Sequence, residues 1–175
     1  MFDDLVAFGR SGTPMFGTCA GCIMMSRSID GMPEQKTLDL ADYSVARNAY
    51  GSQVHSFESD LGADKEVRPA PAPSGAGPRG GTPGKAESWR PDPKVFGEQP
   101  LRAVLIRAPM ITRVGAEGKV LAQHDSHPVL WQQGSILTCT FHPEITGDPR
   151  VHQYFASFVR KCAKGDTGTM IRFWP

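Results

Sequence analysis

Residues 14–29 read Pro-Met-Phe-Gly-Thr-Cys-Ala-Gly-Cys-Ile-Met-Met-Ser-Arg-Ser-Ile, and the change of character at Cys19 decides the fold. Pro14 to Thr18 is a short apolar run ending at the cysteine. From Ala20 to Ile29 the pattern turns helical, and Asp30-Gly31 stops it. Strand, sharp turn and helix in immediate succession form the local unit of an α/β layered domain. A cysteine held at such a turn is exposed at the end of a sheet, and small neighbours such as Gly17, Ala20 and Gly21 permit a tight backbone there. The following helix points its N-terminus at the sulfur, and its partial positive charge predicts thiolate in preference to thiol. The N–H of Ala20 is placed to donate to an oxyanion forming at that spot. The competing reading is that many buried cysteines are only small hydrophobes.

Outward from this unit, strands and turns alternate. Tyr43 to Ala46 and Gln53 to Phe57 read as strands joined around Arg47-Asn-Ala-Tyr-Gly51. Arg102 to Arg107 is a strand closed by Ala108-Pro109. Lys119–His124 and Pro128–Gln132 form a hairpin about Asp125-Ser126, and Ser135–Phe141 is a strongly apolar strand. Asp148-Pro149 opens a helix, with Asp148 as N-cap and Pro149 at the first helical position. Val151, Tyr154, Phe155, Phe158 and Cys162 then line one face at three- and four-residue steps.

Residues 62–100 differ from everything around them, holding eight of the fifteen prolines and seven of the nineteen glycines with few aliphatics. Such a segment buries too little apolar area to offset its ordering entropy. It is expected to be a disordered surface insertion. The pieces on either side are each too small for a core of their own, so residues 1–175 are expected to pack as a single domain around it.

Bulk properties narrow the function classes. The chain has 175 residues, 39% of them hydrophobic, and a formal net charge of +1. That charge gives no field to draw nucleic acid or an anionic membrane, and no apolar run is long enough to span a bilayer. The opening, Met-Phe-Asp-Asp, carries acids early and lacks the apolar stretch of a secretory signal. A cytoplasmic setting follows, in which Cys19, Cys22, Cys139 and Cys162 are free thiols.

Phe141-His142-Pro143-Glu144 supplies what a nucleophilic cysteine needs. His142 follows an apolar strand and so sits at a sheet end, while Pro143 cannot continue the ladder. Glu144 can then turn back to the imidazole, fix its tautomer and stabilise imidazolium. Cysteine, histidine and carboxylate on separate segments make the generalised triad. The bland alternative is a surface His-Pro turn beside an unrelated acid. Cys19 and Cys22 also fit Cys-x-x-Cys, which suggests a redox protein as a rival reading, although no βαβ start precedes it. A metal site lacks a second ligand pair, because His124 and His127 flank a turn. Arg47 and Arg107 each end a strand, where a guanidinium can hold an α-carboxylate, although for either one alone a solvated arginine is the simpler reading.

The stretches Pro-Met-Phe-Gly-Thr-Cys-Ala-Gly at 14–21, Ala-Arg-Asn-Ala-Tyr-Gly-Ser-Gln-Val-His-Ser-Phe-Glu at 46–58, Ile-Arg-Ala-Pro at 106–109 and Phe-His-Pro-Glu at 141–144 occur in one order. In them the sequence resembles the glutaminase subunits of pyridoxal 5′-phosphate synthase, within the class I glutamine amidotransferases. The resemblance implies a three-layer, flavodoxin-like α/β fold. It implies Cys19 as nucleophile with His142 and Glu144 as triad partners, and Arg47, Ile106 and Arg107 as contacts to L-glutamine. It also implies release of ammonia to a separate synthase subunit in a large hetero-oligomer. Pyridoxal phosphate would be a product of that complex, so no cofactor is expected on this chain. The family's opening strands, ending in Gly-Leu-Gln-Gly and leading to Gly-Gly-Glu-Ser, have no counterpart here. The expectation is therefore a fold incomplete at its N-terminus, whose activity lacks one oxyanion donor, worth about 10²–10³ in rate. A catalytically impaired homologue that only binds the synthase is the alternative.

Overall fold

The computed structural model describes residues 1–47, 57–61, 91, 93–124 and 126–164. In chain order the elements are α1 (Phe2–Arg10), β1 (Met15–Thr18), α2 (Ala20–Met25), β2 (Ser26–Ile29), β3 (Ala41–Ala46), β4 (Phe57–Leu61), α3 (Pro93–Phe96), β5 (Leu101–Leu105), β6 (Met110–Val114), β7 (Lys119–His124), β8 (His127–Gln133), β9 (Ile136–Cys139), a 3₁₀ turn (Pro143–Ile145) and α4 (Arg150–Ala163). The largest sheet runs β1-β9-β8-β7, with a second sheet β2-β3-β6 and a two-stranded ribbon β4-β5. β1 lies parallel to β9 with Thr18 opposite Cys139. β9, β8 and β7 follow antiparallel. β2 pairs with β3 in parallel, and β3 with β6 antiparallel.

The apolar pattern explains the packing. All four residues of β9 are buried, as a strand covered on both faces must be. In β5, Leu101, Ala103 and Leu105 point inward while Arg102 is exposed, a period-two pattern. These side chains meet Leu121, Val129, Leu130, Leu137 and Phe141, and α4 covers them with Val151, Tyr154 and Phe155. A second core gathers Met25, Ile29, Leu38, Tyr43, Val45, Ile111, Trp131 and Ile136, against which α1 lays Leu5 and Val6.

The structure departs from the sequence reading at several elements. The helix expected to run from Ala20 to Ile29 ends at Met25, and Ser26–Ile29 is the strand β2. Ser26 turns extended at ψ 159°, and neighbouring groups take over the carbonyls that a longer helix would have used. Ser26 Oγ donates to Ile23 O at 2.8 Å. The N–H groups of Leu38 and Leu40 donate to Met24 O at 2.7 Å and Met25 O at 3.1 Å. Pairing with β3 and burial of Ile29 then outweigh a local helical pattern. β6 has no counterpart among the strands read from the sequence, because Met-Ile-Thr-Arg-Val alternates weakly and Arg113 and Val114 are exposed. α4 begins at Arg150 instead of Pro149, yet Asp148 Oδ1 still accepts the Arg150 N–H at 3.0 Å.

Residues 62–90 and 92 of the expected insertion, and 53–56 of an expected strand, lie outside the described residues. Its last part is not loose. α3 buries Phe96 in the core. Arg150 clamps the segment, donating through Nη1 to Phe96 O at 2.9 Å and Gln99 O at 2.8 Å, and through Nη2 to Pro100 O at 2.6 Å. The Asp148 carboxylate accepts the same guanidinium at 2.6 Å. Among the described residues no helix is long and apolar enough to cross a membrane.

Replacing Arg150→Met keeps the aliphatic stem and removes these bonds, and should lower unfolding stability by about 2 kcal/mol in urea titrations. The hydrogen bond from Arg150 holds the Asp148 carboxyl below its ordinary value. Its contribution is therefore present above the unfolded carboxylate pKa and lost as pH falls through the lowered folded value. The acid limb of the stability curve should flatten in R150M.

Candidate active site at the end of β1

Cys19 leaves β1 with φ 45° and ψ −98°, a conformation rare for a residue with a side chain and costing of order 1–3 kcal/mol. Hydrogen bonds on both sides of the residue hold it there. Its N–H donates to Cys139 O at 2.9 Å, and its carbonyl accepts the Ile23 N–H at 3.2 Å. Gly17 makes the turn possible, because a Cβ at that position would stand 2.8 Å from the carbonyl carbon of Gly21. The first turn of α2 thus rests directly on β1. Gly21 itself is not sterically required, since a Cβ there would meet nothing within 4 Å.

The same strand that pins Cys19 delivers the histidine. β9 ends at Cys139, and three residues later the His142 N–H donates to Val104 O of β5 at 2.9 Å. Two residues beyond Val104, the carbonyl of Ile106 lies 3.9 Å from Cys19 Sγ. The ends of β1, β9 and β5 therefore converge. Pro143 starts the 3₁₀ turn, which swings Glu144 back so that His142 Nδ1 and Glu144 Oε1 are 2.7 Å apart. With the proton on Nδ1, Nε2 is left as an acceptor.

Electrostatics revise one expectation. Burial pushes the Cys19 thiol above its ordinary value, the Ala20 N–H bonded to the sulfur pulls it back only in part, and the Glu144 charge adds to the rise. Desolvation thus opposes the shift towards thiolate expected from the helix N-terminus. Burial also works against the Glu144 carboxylate, but the hydrogen bond from His142 and the charges of His142 and His152 outweigh it and hold the carboxyl below its usual range. His152 escaped the sequence reading, which had no signal for it beyond a histidine in the first turn of a helix. Its ring stands edge-on to Phe16, with centroids 5.9 Å apart.

Cys22 and Cys139 are buried near this cysteine. Cys22 is fully buried and its thiol is pushed up to about 12. Burial makes Cys22 a poor nucleophile, as suits a residue packed into the core from α2. Cys139 is buried in β9, where burial drives it well above its ordinary value. Of the arginines, Arg107 follows Ile106 directly, exposed and at φ 47°. Arg47 follows Ala46, whose partner is Met110, so it sits at the same edge as 107–109. Its Nη1 donates to Gln35 Oε1 at 2.9 Å, and no hydrogen bond among the described residues joins it to Cys19, His142 or Glu144. Among the described residues no group of three or more His, Cys, Asp or Glu side chains is placed to hold a metal.

Comparison with known proteins places this geometry. The profile of the SNO glutamine amidotransferase family matches residues 1–69 and 87–164. The chain is 40% identical over 164 residues to the pyridoxal 5′-phosphate synthase subunit PdxT of Pelotomaculum thermopropionicum, covering 94% of this chain and 66% of that protein. It is 41% identical over 155 residues to the PdxT subunit of Kosmotoga olearia, covering 89% of this chain and 65% of that protein. It thus spans just under two thirds of the length of these two curated relatives. A crystal structure of a glutamine amidotransferase matches with a TM-score of 0.68 at 35% identity, over 91% of this chain and 68% of the other. The architecture is accordingly the flavodoxin-like α/β fold of class I glutamine amidotransferases.

The two glycines give opposite expectations. Gly17→Ala should force α2 off β1 and cost about 1–3 kcal/mol in urea unfolding. Gly21→Ala should be neutral or stabilising by up to about 1 kcal/mol.

Proposed function

The chain belongs to the SNO glutamine amidotransferase family, and on that premise we propose that it hydrolyses L-glutamine to glutamate and ammonia through a thioester on Cys19. The observation that carries this reading is the 2.7 Å contact between His142 Nδ1 and Glu144 Oε1, on the segment continuing the strand that pins Cys19. Glu144 fixes the imidazole with Nε2 as base. A base is needed because burial keeps Cys19 protonated. His142 takes the thiol proton, the sulfur attacks the carboxamide carbon, and the oxyanion that forms is met by the Ala20 N–H. The C–N bond then breaks, and His142 returns the proton to the departing ammonia. Water, deprotonated by His142, opens the thioester and frees glutamate and Cys19.

Arg107 and Arg47 are proposed to hold the glutamine α-carboxylate, with the Ile106 backbone lining the site beside the sulfur. Arg47 would exchange Gln35 for substrate. The names of the relatives support delivery of the ammonia to the synthase subunit of pyridoxal 5′-phosphate synthase, as one part of a larger complex. They also support a place in vitamin B6 biosynthesis. A cytoplasmic setting fits the four free thiols. The rival reading is a non-catalytic binding partner of the synthase, which the following assay separates from the first.

Ammonia release from L-glutamine, measured with and without the synthase subunit, tests the proposal. Cys19→Ala should fall to background. Glu144→Gln should lose at least about tenfold in kcat/KM, while Cys22→Ser should stay within about fivefold, where a redox protein would lose its activity. A folded wild-type chain that binds the synthase without releasing ammonia would overturn the glutaminase reading in favour of the second.

A further inference from the structure

Helix α2 is short, and its four C-terminal carbonyls must find partners outside the helix. Three of them are met by the main chain or by the helix's own end. Ile23 O takes the N–H and Oγ of Ser26, Met24 O the N–H of Leu38, and Met25 O the N–H of Leu40. The fourth, Cys22 O, accepts from a side chain: the hydroxyl of Tyr43, at 2.8 Å, with Cys22 Sγ a longer second contact of that hydroxyl at 3.3 Å. Tyr43 is buried in β3, with its ring edge-on to Trp131 at a centroid distance of 6.1 Å. Burial pushes its phenol well above the ordinary value, so it remains a donor across the working range.

The peptide group that receives this bond has a second end. Its N–H belongs to Ile23, and that N–H donates to Cys19 O at 3.2 Å. A peptide unit is planar and rigid. Orienting the Cys22 carbonyl therefore orients the donor that closes the turn at Cys19, and polarising it strengthens that donor. The turn is held against strain at positive φ, where a small rotation moves Sγ relative to His142 and the Ala20 N–H. Resting on the glutaminase reading, we infer that Tyr43 is a positioning residue for Cys19, acting through Cys22 and the peptide group it shares with Ile23.

The test compares Tyr43→Phe with Ile29→Val, a deletion in the same buried cluster that removes no hydrogen bond to Cys22. The pH profile of Cys19 alkylation by iodoacetamide is followed by peptide mass, and kcat and KM for glutamine are measured with the synthase subunit present. Y43F should change the Cys19 alkylation rate at a given pH by at least about threefold and lower kcat by about tenfold, with KM within about twofold. I29V should leave the alkylation profile on the wild-type curve whatever it does to the melting temperature. A Y43F profile that overlays wild type, or an equal displacement in I29V, overturns the inference. Should Y43F fail to fold, 3-fluorotyrosine at position 43, near-isosteric with a more acidic hydroxyl, serves the same comparison. Displacement of its profile supports the inference and overlay overturns it. Alkylation needs no turnover, so a chain that releases no ammonia would sink the glutaminase reading while leaving this comparison decisive.

Discussion

The structure turns on the backbone of Cys19, held at φ 45° between the Cys139 carbonyl and the Ile23 N–H. An ordinary residue relaxes out of that conformation, so the surroundings must over-determine it. They do so from two directions. The parallel register of β1 against β9 sets the N–H side, and the first turn of α2, seated on the bare backbone of Gly17, sets the carbonyl side. With the main chain fixed at both ends, the positions open to the sulfur reduce to the rotamers of one torsion.

The partner strand makes this constraint chemically useful. β9 is buried along its whole length and pairs with both β1 and β8. The residues that follow it emerge beside the cysteine that its last carbonyl holds. The His142 N–H ties that emergence to β5, and β5 in turn leads to the Ile106 carbonyl next to the sulfur. The Arg150 clamp on the carbonyls of residues 96–100 anchors the entry to β5, so a contact far from the chemistry helps to set the third side of the site. Within this frame burial keeps Cys19 a thiol and His142 polarises towards Glu144, an arrangement suited to proton transfer on demand rather than to a standing thiolate.

What the sequence disclosed was local or motif-like. Cys19 at a strand-to-helix turn, and His142 with Glu144 across one proline, are near neighbours whose geometry follows from backbone rules. The hairpin of β7 and β8 and the apolar face of α4 follow from periodicity. What it concealed depends on distant pairing. Ser26–Ile29 reads as helix until β3 is laid beside it, and Met110–Val114 reads as loop until its partner strand is known. Tyr43 carried no functional signal, because its importance lies in a carbonyl twenty-one residues away. The rise of the Cys19 thiol is concealed for a related reason. The helix N-terminus is visible in a sequence, whereas the burial that opposes it is not. Phe96 and the residues after it sit in a proline- and glycine-rich stretch whose composition hides an aromatic that reaches the core.

The most direct test of the central claim is chemical trapping at the sulfur. The chain, assembled with the synthase subunit, is mixed with L-glutamine, quenched in acid within the first turnovers and digested for peptide mass analysis. The account predicts a γ-glutamyl adduct on the peptide carrying Cys19 and on no other cysteine. Continued ammonia release from protein whose Cys19 has been chemically blocked, or an adduct residing on a different residue, would contradict it.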